Sequence, residues 1–236
     1  MANSARNAPG VEGVEIEKET VYVETDPMEA VQGFYETNKK MISTVTTVIL
    51  VVVVGYFAYT KMYKGPAEQK AASAMYYPQL YFQADSLDLA LNGDGKNLGF
   101  TKLAKKYSGT AAGNLASYYE GICLLRKGDF KGAIKSLQEF DGKGTMVGRQ
   151  AYGALGMAYM ESGNSAKAIE NFKKATEDKE DGLVTPMYLY QLGIAYQAAG
   201  NANEAKAAFM RIRDEFPRSP QARDMDKELA RLGELN

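Results

Sequence analysis

The chain has 236 residues, enough for one or two domains, with 45% hydrophobic and 24% charged residues and a net charge of −1. That balance gives no strong bias toward nucleic acid or acidic lipid, and no nucleic-acid partner is expected. The absence of histidine removes the usual general base and the commonest zinc ligand together, and the single cysteine, Cys123, excludes an intrachain disulfide.

Residues 1–25 read as a disordered acidic tail. Asn, Ala, Pro and Gly give way there to Val-Glu alternation at Val11-Glu12, Val14-Glu15 and Val21-Tyr22-Val23-Glu24. Residues 1–40 carry four basic and eight acidic side chains, a net −4 that leaves +3 for the remainder. Asp26-Pro27 has the form of a helix start, with the cap residue followed by proline at the first helical position.

Residues 26–64 are expected to form a juxtamembrane and transmembrane helix. The 20 residues Met41 to Thr60 contain no charge, and at about 1.5 Å per residue they span roughly 30 Å, a bilayer's hydrocarbon core. Lys39 and Lys40 flank one end, and Lys61 and Lys64 the other. Tyr56, Tyr59 and Tyr63 are placed as an interfacial aromatic belt. The run starts too late and is too long for a cleaved signal peptide, so an uncleaved single-pass anchor is expected. The lysines are nearly balanced across it. A short N-tail and a large C-terminal domain favour a cytoplasmic N-terminus with the larger domain translocated.

Residues 65–236 read as helical throughout. A helical stretch runs from Ala67 to about Asn92, and Pro78 is expected to start a new helix or kink this one. Gly93-Asp94-Gly95-Lys96 lacks the full spacing of a phosphate or calcium loop and reads as a plain turn. Leu98 to Tyr107 makes a short helix with Phe100 and Leu103 inward. Three helix pairs follow: Gly113–Lys127 with Phe130–Phe140, Arg149–Ser162 with Ser165–Glu177, and Thr185–Ala199 with Asn203–Glu215. Asp178, Glu180 and Asp181 around Lys179 read as a solvated loop. Gln221–Leu232 reads as a capping helix with Arg223, Asp224, Lys227 and Glu228 on its polar face. Cys123, beside Ile122 and Leu124, reads as a buried structural thiol.

The three pairs repeat one pattern. It runs Gly121, Leu124, Gly128, Ala133 and Leu137, then Gly156, Tyr159, Gly163, Ala168 and Phe172, then Gly193, Tyr196, Gly200, Ala205 and Phe209, with Pro217 closing the last copy. Successive first glycines are 35 and 37 residues apart. This pattern, over about residues 112–217, resembles the tetratricopeptide repeat, a helix–turn–helix unit with a period of about 34 residues. The expected fold class is therefore all-α: a single N-terminal transmembrane helix followed by a tetratricopeptide α-solenoid with a capping helix. Gly121, Gly156 and Gly193 are expected to let helices approach closely, as are Ala133, Ala168 and Ala205. Glu120 and the weaker match upstream of residue 112 depart from the pattern.

The inner face of such an array comes from the first helix of each pair. Counting from the motif glycine, its candidate partner-binding positions are Tyr118, Ile122 and Leu125, then Gly153, Met157 and Met160, then Tyr190, Ile194 and Gln197. None is charged, so the lysine and asparagine clamps by which some tetratricopeptide proteins hold a peptide C-terminus are missing. An apolar, methionine-containing groove suits a helix or an extended apolar segment. Plain helix-on-helix packing explains the same spacing. No catalytic residue, metal set, cofactor or small-molecule substrate is expected.

One anchor followed by a repeat domain of this size resembles the ancillary subunit of the bacterial Sec translocon, the YfgM-type family. The segment Tyr81 to Gly95 followed by Leu98-Gly99-Phe100 resembles Bacteroidota sequences of that broad group. The resemblance implies a non-enzymatic scaffold of the inner membrane with its repeat domain in the periplasm. It would stand beside SecYEG with a membrane-anchored periplasmic folding factor of the prolyl-isomerase type, and receive proteins leaving the channel. A scaffold for envelope assembly or cell division without translocon contact, and a cytoplasm-facing adaptor of opposite topology, are the alternatives.

Overall fold

The structure, a computed structural model, describes residues 27–177 and 181–233. The acidic tail with its cap Asp26, and Asp178, Lys179 and Glu180 of the loop, lie outside the described residues, as does the side chain of Tyr63. By internal packing the chain divides into two units, one ending at Tyr56 and one beginning at Phe57. All described secondary structure is helical apart from an isolated bridge between Gly93 and Leu98.

The described part of the first unit is helix α1, Pro27–Ala58, whose last two residues belong to the second unit. Its valines and Ile49 are exposed, Val45 at 52% and Val52 at 64% among them. Thr44 and Thr47 donate their hydroxyls to the carbonyls of Lys40 and Ser43, both at 2.8 Å, so these polar groups are satisfied within the helix, as lipid requires. The helical run that contains α1 is the one among the described residues long and apolar enough to cross a membrane.

In the second unit a π-helical turn, Tyr59–Lys64, leads into α2, Gly65–Ala74. Pro66 lacks the N–H that would bond the Met62 carbonyl, and its ring would crowd that carbonyl in a regular helix. The wider π turn relieves the conflict. The same argument places the next break: α2 ends at Ala74, four residues before Pro78, and α3 spans Tyr76–Gln83. The stretch expected to run on to Asn92 breaks again at Ala84–Ser86, where Asp85 takes a φ of +57°. It resumes as α4, Leu87–Asn92. Asp94 then ties the Gly93–Leu98 turn together. It accepts from the backbone N–H groups of Lys96 (2.9 Å) and Asn97 (2.6 Å) and from the Tyr81 hydroxyl (2.6 Å). The Tyr81 hydroxyl and these N–H groups hold the Asp94 carboxyl well below the usual carboxylate range.

Helix α5, Phe100–Lys106, buries Phe100 and Leu103. The Phe100 ring stacks on Tyr119 at 5.0 Å, with Phe82 edge-on to Tyr119 at 5.4 Å. These side chains lead into the core made by α2, α4, α5 and the following helix, α6, Ala111–Arg126. Glu68 of α2 accepts from the N–H groups of Ala111 (2.6 Å) and Ala112 (2.9 Å), a charged cap on the N-terminus of α6 from more than 40 residues away. Cys123 is fully buried there, and desolvation pushes its thiol up to about 12. It is a core side chain and not a nucleophile.

Three antiparallel pairs follow: α6 with α7 (Phe130–Glu139), α8 (Met146–Glu161) with α9 (Ser165–Ala175), and α10 (Val184–Ala198) with α11 (Ala202–Glu215). The second helix of each pair packs on the first helix of the next. A Cβ built at Gly121, Gly156 or Gly193 would stand 2.5, 2.5 or 2.3 Å from the side chain of Leu137, Phe172 or Phe209. Each motif glycine is thus the seat of its own repeat's large second-helix residue. Gly128, Gly163 and Gly200 end the first helices at φ of +81°, +75° and +77°. The next residues Asp129 and Asn164 cap the second helices, accepting from the N–H groups of Gly132 and Lys167.

The first helices of the first two pairs begin identically. Thr110 and Thr145 each accept from the N–H three residues on, that of Gly113 at 3.0 Å and of Gly148 at 2.9 Å. The third repeat replaces this threonine with Asp181, which accepts from the N–H groups of Val184 (2.8 Å) and Leu183 (3.1 Å) and faces Arg149 at 3.6 Å. These N–H groups, then Arg149, lower the Asp181 pKa below its ordinary value. A depressed folded pKa means stability that is present above the ordinary Asp value and lost as pH falls through the folded one. Asp181→Asn should therefore lower the melting temperature at neutral pH, and the gap to wild type should close in acid. Thermal unfolding at about pH 7 and about pH 3 checks this.

After a 3₁₀ turn, Pro220–Asp224, α12 (Met225–Arg231) covers the last pair with Met225 and Leu229, both fully buried. Glu228 does not lie on the exposed polar face. It is buried and pairs with Arg231 at 2.9 Å, because Leu229 next to it must reach the core.

Candidate partner-binding surface

The first helices α6, α8 and α10 lie side by side, α8 touching both of its neighbours. All eight candidate positions on them, Tyr118, Ile122, Leu125, Met157, Met160, Tyr190, Ile194 and Gln197, are half-buried. The seven other than Gln197 rest against the edge of the repeat core. Two rest against aromatic rings, Tyr118 with a hydrogen bond besides. Tyr118 lies 5.4 Å from the Phe140 ring, and its hydroxyl donates to Gln150 Oε1 of α8 at 3.3 Å. Tyr190 lies 5.8 Å from the Phe209 ring. Burial pushes the Tyr118 pKa up, so its hydroxyl stays neutral.

The position between these tyrosines in the middle repeat is Gly153, and its space is occupied. A Cβ there would meet the Tyr188 ring of α10 at 2.0 Å. Tyr188 is buried, stacks near Phe172 at 6.4 Å, and has its pKa raised to about 12 by desolvation. It locks the second and third repeats together. Gly153 is therefore a packing socket in this surface and contributes no side chain to it.

Met187, 38% exposed, lies one step upstream of Tyr190 in the same helical spacing and extends the stripe. Met146 opens α8 and Leu183 directly precedes α10, exposed at 60% and 72%. The motif-glycine count stopped short of all three. Continuing the three- and four-residue steps toward each N-terminus finds Met187. None of the eight candidates lines the clefts between successive repeats, of about 420 Å³ among α7, α8 and α9 and about 460 Å³ among α9, α10 and α11. Those clefts carry charged rims with Lys167, Glu170 and Lys174 in the first and Glu204 and Arg211 in the second. The stripe on the first helices is by contrast uncharged and half-buried.

Among the described residues no group of three or more acidic or cysteine side chains is placed to hold a metal ion. What the surface offers is apolar contact area, methionine and tyrosine included, with a few amide and hydroxyl hydrogen-bonding groups.

A family model described as a tetratricopeptide repeat-like domain matches residues 32–223. The chain belongs to the tetratricopeptide repeat-like family. No curated protein matches it. Repeats of this family stack into extended surfaces that hold other proteins, so this tetratricopeptide chain is a protein–protein interaction scaffold. The match begins well upstream of the three clear repeats. That extent agrees with α5, which packs on α6 as α7 packs on α8.

Proposed function

We propose that this chain is a non-enzymatic scaffold of the bacterial inner membrane, an ancillary subunit of the Sec machinery. Residues 26–64 anchor it once through the bilayer, and residues 65–236 form the periplasmic tetratricopeptide domain. The apolar stripe receives a helix or extended apolar segment of a folding factor of the prolyl-isomerase type and holds it near the SecYEG exit. The observation that carries the scaffold reading is the uncharged stripe itself: seven apolar side chains across three adjacent helices, half open to solvent and without a catalytic constellation beside them. The translocon assignment adds the likeness of anchor plus repeat domain to the ancillary subunit. Anchoring raises the domain's effective concentration beside a membrane channel.

Affinity purification of the tagged protein from mild-detergent membranes, with mass spectrometry of the co-purifying proteins, tests this. SecYEG together with a periplasmic isomerase is the expected recovery. Envelope-assembly or division proteins without either would overturn the translocon assignment. The stripe has its own test. Met157→Glu with Ile194→Glu places charge at two half-buried contact positions and should weaken capture about 10–100-fold. Unchanged far-UV circular dichroism would show the fold intact. Capture at wild-type strength by a folded double variant would remove the stripe from the interface.

A further inference from the structure

Helix α1 runs without a break from Pro27 to Ala58. With residues 41–60 in the bilayer, residues 27–40 carry the same helix about 20 Å further into water. On that stretch Val31, Phe34 and Tyr35 gather on one side and are 65%, 63% and 57% exposed. A segment continuous with a spanning helix does not also lie flat on the membrane surface, so lipid does not cover this face. The face follows a heptad repeat. Val31, Tyr35, Asn38, Ile42, Val45 and Ile49 are spaced by alternating steps of four and three, the a and d places of a two-stranded coiled coil. Apolar residues alone would not set the phase within the span. The polar ones do, since every Glu, Gln, Lys, Ser and Thr between Val31 and Ile49 falls off the seam, in the aqueous part and in the span alike.

We propose that this face pairs α1 with α1 of a second copy, as a parallel two-stranded coiled coil that begins in water and continues into the bilayer. Three arguments favour a second copy over the helix of another protein. Copies of one chain insert in the same direction, so their seams are parallel and level whichever side the N-terminus occupies. Asn38 is self-complementary. One of its N–H groups bonds the Phe34 carbonyl of its own helix at 2.9 Å, which leaves the second N–H and the Oδ1 to meet the same amide across the seam. One asparagine among apolar seam positions fixes register and strand number. Lys39, flanking the seam, faces Phe34 of the other copy, so its stem lies against a ring and no like charges oppose each other. Glu36 and Lys40 fall on the outer faces. Pairing brings two repeat domains to one place on the membrane and raises the effective concentration of their stripes for a shared partner. The inference rests on the membrane anchor and is independent of which partner the stripe holds.

The test uses the full-length chain in membranes, with single cysteines introduced by substitution and oxidised with copper phenanthroline. Cys123 is fully buried and does not compete. Retention of the chain in membranes washed with alkaline carbonate reports on the anchor separately. Val31→Cys, Tyr35→Cys and Asn38→Cys should form chain-to-chain disulfides several-fold faster than Gly33→Cys, Glu36→Cys and Lys40→Cys on the outer faces. Val31→Lys with Tyr35→Lys places like charges in the paired seam and should bring Asn38→Cys down to the outer-face rate. Thr37→Lys, outside the seam, should leave that rate unchanged. Equal rates around the helix overturn the proposal, as does the absence of a linked pair from membranes that retain the protein. A seam cysteine that joins a different protein in native membranes, without joining its own kind, would assign the face to another helix and overturn it as well.

Discussion

Phe172→Ala is expected to cost about 3–5 kcal/mol, the range for truncating a buried aromatic. Phe172 is fully buried, sits in the socket made by Gly156, and faces Tyr188 of the next repeat. Its removal opens a cavity beneath α8, α9 and α10 together, and neither Gly156 nor its neighbours can refill it. A domain of this size loses about 2–4 °C of melting temperature per kcal/mol, so a fall of about 10 °C is expected by circular dichroism of the full chain in detergent. Repeat arrays couple mainly through nearest neighbours. Hydrogen exchange should therefore rise most in α8–α11 and least in α2–α5. A uniform rise across both cores would show that the array unfolds as one unit.

Gly193→Val is expected to be destabilising by the opposite route. The Cβ alone would stand 2.3 Å from Phe209 Cε1, and the ring is fully buried with no open side to move into. Overpacking of this kind costs about 1–3 kcal/mol and occasionally more, and two further methyl carbons place this substitution at the upper end. Helix propensity works the other way, since glycine is a worse helix former than valine by roughly 0.3–0.5 kcal/mol. A measured loss is therefore a lower bound on the steric cost. Gly193→Ala with Phe209→Leu copies the smaller side chain that the first repeat uses in Leu137. It should be more stable than the sum of the two single substitutions. Strict additivity in thermal or urea unfolding would show that the glycine and the ring do not act as a pair.

The position-by-position sense of the repeat was legible because each motif residue meets its partner at a fixed offset of 16 residues within one helical hairpin. Gly121 meets Leu137, Gly156 meets Phe172 and Gly193 meets Phe209. Local offsets of this kind survive in a linear pattern. The turn glycines were readable for a similar reason, since a positive φ followed by Asp129 or Asn164 needs only adjacent residues. The candidate stripe was legible as spacing and composition. Whether its side chains were half open or wholly covered was not, because that depends on the neighbouring helix. At Gly153 the neighbour supplies Tyr188, and the place read as groove is filled.

Glu228 shows the limit on the polar side. Its character fits a solvated helix face, and only the docking of Leu229 and Met225 onto the last repeat turns it inward. Glu68 is the same case over a longer distance, since nothing near it in the chain marks a residue that will cap α6. The second-half repeats, the uncharged run at 41–60 and the lack of histidine were set by the sequence alone, because periodicity, hydropathy and residue chemistry are local properties. Tertiary structure alone decided which motif side chains remain at the surface and how α2 and α5 complete the array. Burial and charge compensation depend on residues tens of positions away, and no spacing rule connects them.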